Sequence, residues 1–143
     1  MQTFFPHADL VETAKVLDRQ RLGKQRVETM QIMKCFLRES GGWVNHPAVK
    51  MWKGFGWALM KYQEAICTRW VTDLGYKDTC LDKTRSIYYT LSYEMQNKGI
   101  WPDWIGNEEF HVSHRSNLLR KKPDHYRELW HDTPNDLEYV WPV

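Results

Sequence analysis

Apolar residues recur along this chain at steps of three and four, and no stretch alternates apolar with polar over the length of a strand. Asp9 stands where a helix N-cap belongs, ahead of Leu10, Val11, Ala14 and Leu17. The spacing predicts a second helix over Arg19–Arg38, with Val27, Met30, Met33 and Leu37 turned to the core and Gly41-Gly42 ending it. After the turn Trp43-Val44-Asn45-His46-Pro47 comes a long stripe of Trp52, Phe55, Leu59, Tyr62, Ile66 and Trp70. Gly54 and Gly56 are placed to kink or interrupt that helix, and Gly75 to stop it. A third substantial helix is expected from about Thr79 to Asn97. Trp101-Pro102-Asp103-Trp104 reads as a loop, Ser113–Lys121 as a shorter helix ending before Pro123, and Asp124–Trp130 as a further turn. The expected fold is all-α, a compact single-domain helical bundle over residues 1–143.

Composition supports a packed core. Of 143 residues 42% are hydrophobic, eight of them Trp, which excludes the composition of a disordered chain. No apolar run approaches the ~18 residues of a membrane span, and the first residues lack the pattern of a signal peptide. Cys35, Cys67 and Cys80 are odd in number, widely spaced and without a CxxC pair, which points to reduced thiols and a cytoplasmic setting.

Net charge is only +2, but its distribution is uneven. Residues 18–26 carry Arg19, Arg21, Lys24 and Arg26 against Asp18 alone. Residues 111–122 carry Arg115, Arg120, Lys121 and Lys122 with no acid, and the tail from Asp124 is acidic. Two basic segments balanced by an acidic tail fit either a phosphate-binding face or ordinary solvated helix faces. On a helix Arg21, Lys24, Gln25 and Glu28 share one face. A carboxylate set among cations stays ionised near neutrality and can stabilise a developing cation or move a proton. The plainer reading is a surface Lys24–Glu28 pair contributing a few tenths of a kcal/mol.

Three stretches resemble a known family, the phage-type pyrimidine-dimer DNA glycosylase/AP lyases. The pattern Leu-x-x-Gln-x-Leu-x(5)-Glu falls on Leu17, Gln20, Leu22 and Glu28; Gly42-Trp43-Val44-Asn45-His46-Pro47 is similar to a Gly-Tyr-x-x-His-Pro turn of bacterial relatives; and Pro123-Asp124-His125-Tyr126 to the opening of the family's aromatic C-terminal segment. The runs 21–28, 113–121 and 139–142 further resemble a bacterial and phage subgroup of that family.

The resemblance implies a helical fold and an enzyme that excises a damaged or modified base from double-stranded DNA without a cofactor. A free α-amine would attack the deoxyribose C1′, expel the base and leave an imine, assisted by a helical Glu; β-elimination would then cut the strand. On this chain those roles fall to Met1 and Glu28. A Gln at position 2 is too large for removal of the initiator, so Met1 stays. An α-amine ordinarily titrates at about 7.7–8.0, so a useful fraction is a neutral nucleophile at physiological pH. The chain departs from the family where an Arg precedes the catalytic Glu (here Val27) and where a base follows it by three (here Gln31).

The expected nucleic-acid contacts are Gln20, Arg21, Lys24, Arg26, His46, His114, Arg115, Asn117, Arg120 and Lys121. Trp104 and Tyr126 are the candidates for stacking on a base, and Trp52, Trp57 and Trp70 for the core. His111 and His114, with His125 or His46, are a possible metal set, but no HExxH or Cys/His zinc pattern accompanies them, so no metal is expected. Two rivals stay open: a non-catalytic nucleic-acid-binding module on the same scaffold, and a hydrolase of modified nucleotides. A monomer is the expected state.

Overall fold

The structure is a computed structural model that describes all 143 residues. It contains helices and no strand: α1 (Leu10–Val16), α2 (Arg19–Cys35), α3 (Pro47–Lys50), α4 (Gly56–Thr68), α5 (Cys80–Tyr88), α6 (Tyr93–Gln96), α7 (Glu108–Lys121) and α8 (Pro123–Tyr126). A π-helical turn over Arg69–Asp73 extends α4, and Gly75 ends it at φ +76°. No helix is long and apolar enough to cross a membrane.

Side-chain caps set several of the starts. Asp9 accepts from the Glu12 N–H, Asp18 from Arg21, Ser92 from Met95 and Asn107 from Phe110. His46 caps α3 through Nδ1, which accepts from the Ala48 N–H. The Trp52–Trp70 stripe is broken at Gly54, whose φ of +85° a side chain rarely adopts, so α3 and α4 are separate. Residues 79–97, expected as one helix, form two. The Gln96 amide reaches back to the carbonyls of Tyr88 and Leu91, satisfying groups the break exposes, and Ser92 starts α6 afresh.

Helix α2 packs against α4 and α5, and its buried face differs from expectation. Leu22, Gln25, Thr29, Ile32 and Met33 are buried, while Val27 and Leu37 are exposed. Two polar residues occupy core positions that an apolar count passes over.

Gln25 meets the segment before α1. Residues Gln2 to Pro6 are buried and extended, threaded against α2, α4 and α7. Phe5 is fully buried, its ring against Trp52, Tyr62, Trp104, Phe110 and His111. The core is thus assembled around the chain's own beginning.

Tyr126 is sealed in the core beside the start of α2. Its hydroxyl donates to the Asp18 carboxylate and accepts from the Asp18 N–H. Burial alone would raise the Asp18 pKa; the bonds from Tyr126 and Arg21 override it and hold the carboxyl below its ordinary range. Tyr126→Phe should cost about 2 kcal/mol, the penalty of removing a bond to a buried charge. Urea melts would show it; a change under about 0.5 kcal/mol would mean the pair contributes nothing net.

Candidate active site

A cleft of about 290 Å³ lies where the N-terminal segment meets α2 and the end of α7. Its walls are Met1, Gln2, Phe4, Gln20, Arg21, Lys24, Gln25, Glu28, Lys121 and Tyr139. The three cations sit on the rim. Arg21 is held by Asp18 at 3.3 Å; Lys24 and Lys121 are exposed and pair with no acid. Tyr139 closes one side, its phenol pushed up to about 12, chiefly by burial, so it stays neutral.

Backbone hydrogen bonds deliver Met1 to this cleft. The Gln25 side chain bonds the Gln2 carbonyl and the Phe4 N–H. The Tyr62 hydroxyl donates to the Phe4 carbonyl at 2.6 Å, and the Trp52 indole to the Thr3 hydroxyl at 2.8 Å. One turn apart on α7, His111 and His114 grip Phe5 from both sides. The His114 Nδ1 accepts from its N–H at 2.9 Å, and the His111 Nδ1 donates to its carbonyl at 2.7 Å. Arg115 donates to the Pro6 carbonyl. A segment with no sheet partner thereby has its backbone groups satisfied by side chains. Burial, and then the positive charge of the chain's amine, hold His46 below its ordinary pKa.

Glu28 accepts from Gln25 Nε2 at 2.8 Å and forms no ion pair, with Met1 or with any cation. Met1 and Glu28 thus both line one cavity.

Several residues expected to hold nucleic acid do other work. Arg26 pairs with Asp78 and lies over the Trp70 ring at 4.4 Å; the same ring lies so close to Gly23 that a Cβ there would meet it at 3.0 Å. His114 is fully buried on Phe5 and Asn117 is buried on the Ser113 and Leu137 carbonyls, so neither faces a ligand. Arg115 is taken by Pro6 and Glu108. Arg120 clamps the tail through the carbonyls of Asn135 and Leu137. His46 is half-buried in its capping role.

Trp104 and Tyr126, the expected stacking residues, are both core. Trp104 packs on Trp52 and Phe110 with its indole bonded to the Met51 carbonyl, and Tyr126 is stacked on Trp130. Sequence reasoning did not single out Tyr139. It placed Gln25 on the Glu28 face and Tyr62 in the apolar stripe but gave neither a part in holding the N-terminal segment; the signal for Gln25 was a polar side chain at a core position of α2. A larger groove of about 650 Å³ between α4, α5 and α6 shares no wall with this cleft; its Lys61 and Arg85 are already paired with Glu64 and Asp82.

The buried clamp has a pH signature. Burial pushes His114 down to about 3, whereas an unfolded histidine protonates near 6.5. Between those values the unfolded chain binds the extra proton, so stability present above pH 6.5 is lost as pH falls toward 3. From pH 7 to pH 5 this residue alone should remove about 2 kcal/mol. His7, His46 and His111, each lowered chiefly by burial, act in the same direction. Urea melts at both pH values should show the loss and show it reduced in His114→Gln; an equal loss in the variant would contradict it.

Residues 1–84, from the threaded segment into α5, match the family model for pyrimidine dimer DNA glycosylase. The chain belongs to that family of DNA glycosylases, which acts on DNA carrying pyrimidine dimers. No curated protein and no solved structure matches it.

Proposed function

We propose that the cleft excises a damaged or modified base from double-stranded DNA through an imine between the Met1 amine and the sugar. One observation carries this reading: the chain's first residue and the one carboxylate of the cleft line the same cavity, under cations that can face a phosphate backbone. In the reaction the neutral Met1 nitrogen bonds to C1′ as the C1′–N bond to the base breaks. The base leaves with that electron pair and takes up a proton. The nitrogen then loses a proton; its lone pair forms the C=N bond of the imine as the ring C1′–O4′ bond breaks, and O4′ leaves with the bonding pair and takes up a proton. Glu28, unpaired by any cation, stabilises the positive charge on sugar and nitrogen and accepts the proton. Loss of a C2′ proton expels the 3′ phosphate and cuts the strand. The protein acts as a monomer, with Gln20, Arg21, Lys24 and Lys121 against the DNA.

Borohydride reduces an imine to a stable amine. On duplexes carrying a pyrimidine dimer, an abasic site or a modified base, it should leave a protein–DNA adduct with at least one of them. No adduct on any duplex would overturn the reading. Binding should weaken with salt, and Lys24→Ala combined with Lys121→Ala should lower the log–log slope by about 2, one for each phosphate that a lysine no longer neutralises. An unchanged slope would remove both lysines from the interface.

A further inference from the structure

Gln25 is the one side chain bonded both to the segment that carries Met1 and to Glu28. It is fully buried on α2, one turn before Glu28. A glutamine amide has two N–H donors and an oxygen acceptor, and here both donors and the oxygen are engaged. Oε1 accepts from the Phe4 N–H at 2.7 Å and lies 2.8 Å from the Tyr62 hydroxyl, whose single proton it shares with the Phe4 carbonyl. Nε2 donates to the Gln2 carbonyl at 2.9 Å and to Glu28 Oε2 at 2.8 Å. The amide has one orientation. Turned over, its NH₂ would face the Phe4 N–H and its oxygen would face the Glu28 carboxylate.

We propose that Gln25 is the positioning residue of this site, locking the Glu28 carboxylate to the strand that bears the Met1 amine. Nucleophile and carboxylate are then held in one register before substrate arrives. A glutamate side chain free on a helix surface samples many rotamers; here one oxygen is tied to a buried donor. Glu28 Oε1 has no partner in the protein and is left for the cleft. The inference rests on the imine reading for its catalytic meaning, but the lock itself can be tested separately.

Gln25→Glu keeps the shape and can still accept from Phe4, but it removes the amide's two N–H donors, to the Gln2 carbonyl and to Glu28. The expected result is a fall of about 100-fold in kcat, with KM within about two-fold. The acid limb of the pH–rate profile should also move up by about one pH unit, because two carboxyl groups in contact titrate as a pair that holds on to a proton. A residue that only supports the fold would lower the melting temperature and leave that limb in place; an unmoved limb overturns the proposal. The wild-type protein gives a second readout that needs no substitution at Gln25. The ¹⁵N–¹H signals of its side-chain amide should exchange slowly with solvent and shift with pH in step with the Glu28 carboxyl carbon, and the shift should vanish in Glu28→Gln. A fast-exchanging amide that ignores pH overturns the lock. Absence of any borohydride adduct from wild-type protein would instead overturn the imine reading, and the amide signals would still decide the lock.

Discussion

Glu28→Gln should lower the single-turnover rate of base release about 1000-fold while leaving lesion-duplex affinity within a few-fold. The size follows from the role: a positioned carboxylate that steadies developing positive charge and takes a proton contributes between about 100-fold and 10,000-fold. Glu28 accepts one hydrogen bond, from Gln25, and a glutamine oxygen can accept the same bond. The network around the N-terminal segment therefore survives, and the variant isolates the charge. Glu28 makes no ion pair whose loss would confuse the result. The measurement is release from a lesion-bearing duplex with enzyme in excess, beside a binding titration at the same salt. A fall of less than about 10-fold would remove Glu28 from the chemistry.

Phe5→Ala should be the most damaging single truncation in the N-terminal segment. Its ring is fully buried among five aromatic side chains, and deleting such a ring costs about 4 kcal/mol. For a chain of this size that lowers the melting temperature by roughly 12 °C. The effect should reach the chemistry as well, because the residues on either side of Phe5 are those whose carbonyls and N–H groups hold Met1 in the cleft. At a temperature where the variant is still folded, base release should be slowed beyond any loss of folded fraction. Val11→Ala, at a site 65% exposed, should change stability by less than about 0.5 kcal/mol and serves as the comparison. Equal losses in the two variants would contradict the threaded core.

Much of this architecture can be read from residue order. The caps at Asp9 and Asp18 act locally, and the stripe through Leu59, Tyr62 and Ile66 is periodic, so local pattern suffices for both. Met1 and Glu28 were named through the family's residue pattern and Arg21, Lys24 and Lys121 through the uneven charge; all five line the cleft. Pattern fails where a residue's task is set by a distant partner. His111 and His114 have the spacing of metal ligands or phosphate contacts, yet their nitrogens serve the backbone of Phe5, more than a hundred residues away in sequence. Trp104 and Tyr126 sit near turns in the sequence and are interior in space, because the C-terminal part of the chain wraps around the buried beginning. Gln25 and Thr29 hid the core face of α2, since apolar counting gives a buried amide no weight. The basic run 111–122 is spent largely on holding neighbouring backbone, which charge counting does not reveal.

Peptide mapping of the borohydride-reduced adduct probes the placement of the nucleophile without an intervening inference. Three amines border the cleft: the Met1 α-amine and the side chains of Lys24 and Lys121. The modification should lie on the peptide beginning at Met1, at its terminal nitrogen, and acetylation of that nitrogen should abolish the adduct. Modification mapped to Lys24 or Lys121, or an adduct that survives a blocked terminus, would show that Met1 is not the nucleophile.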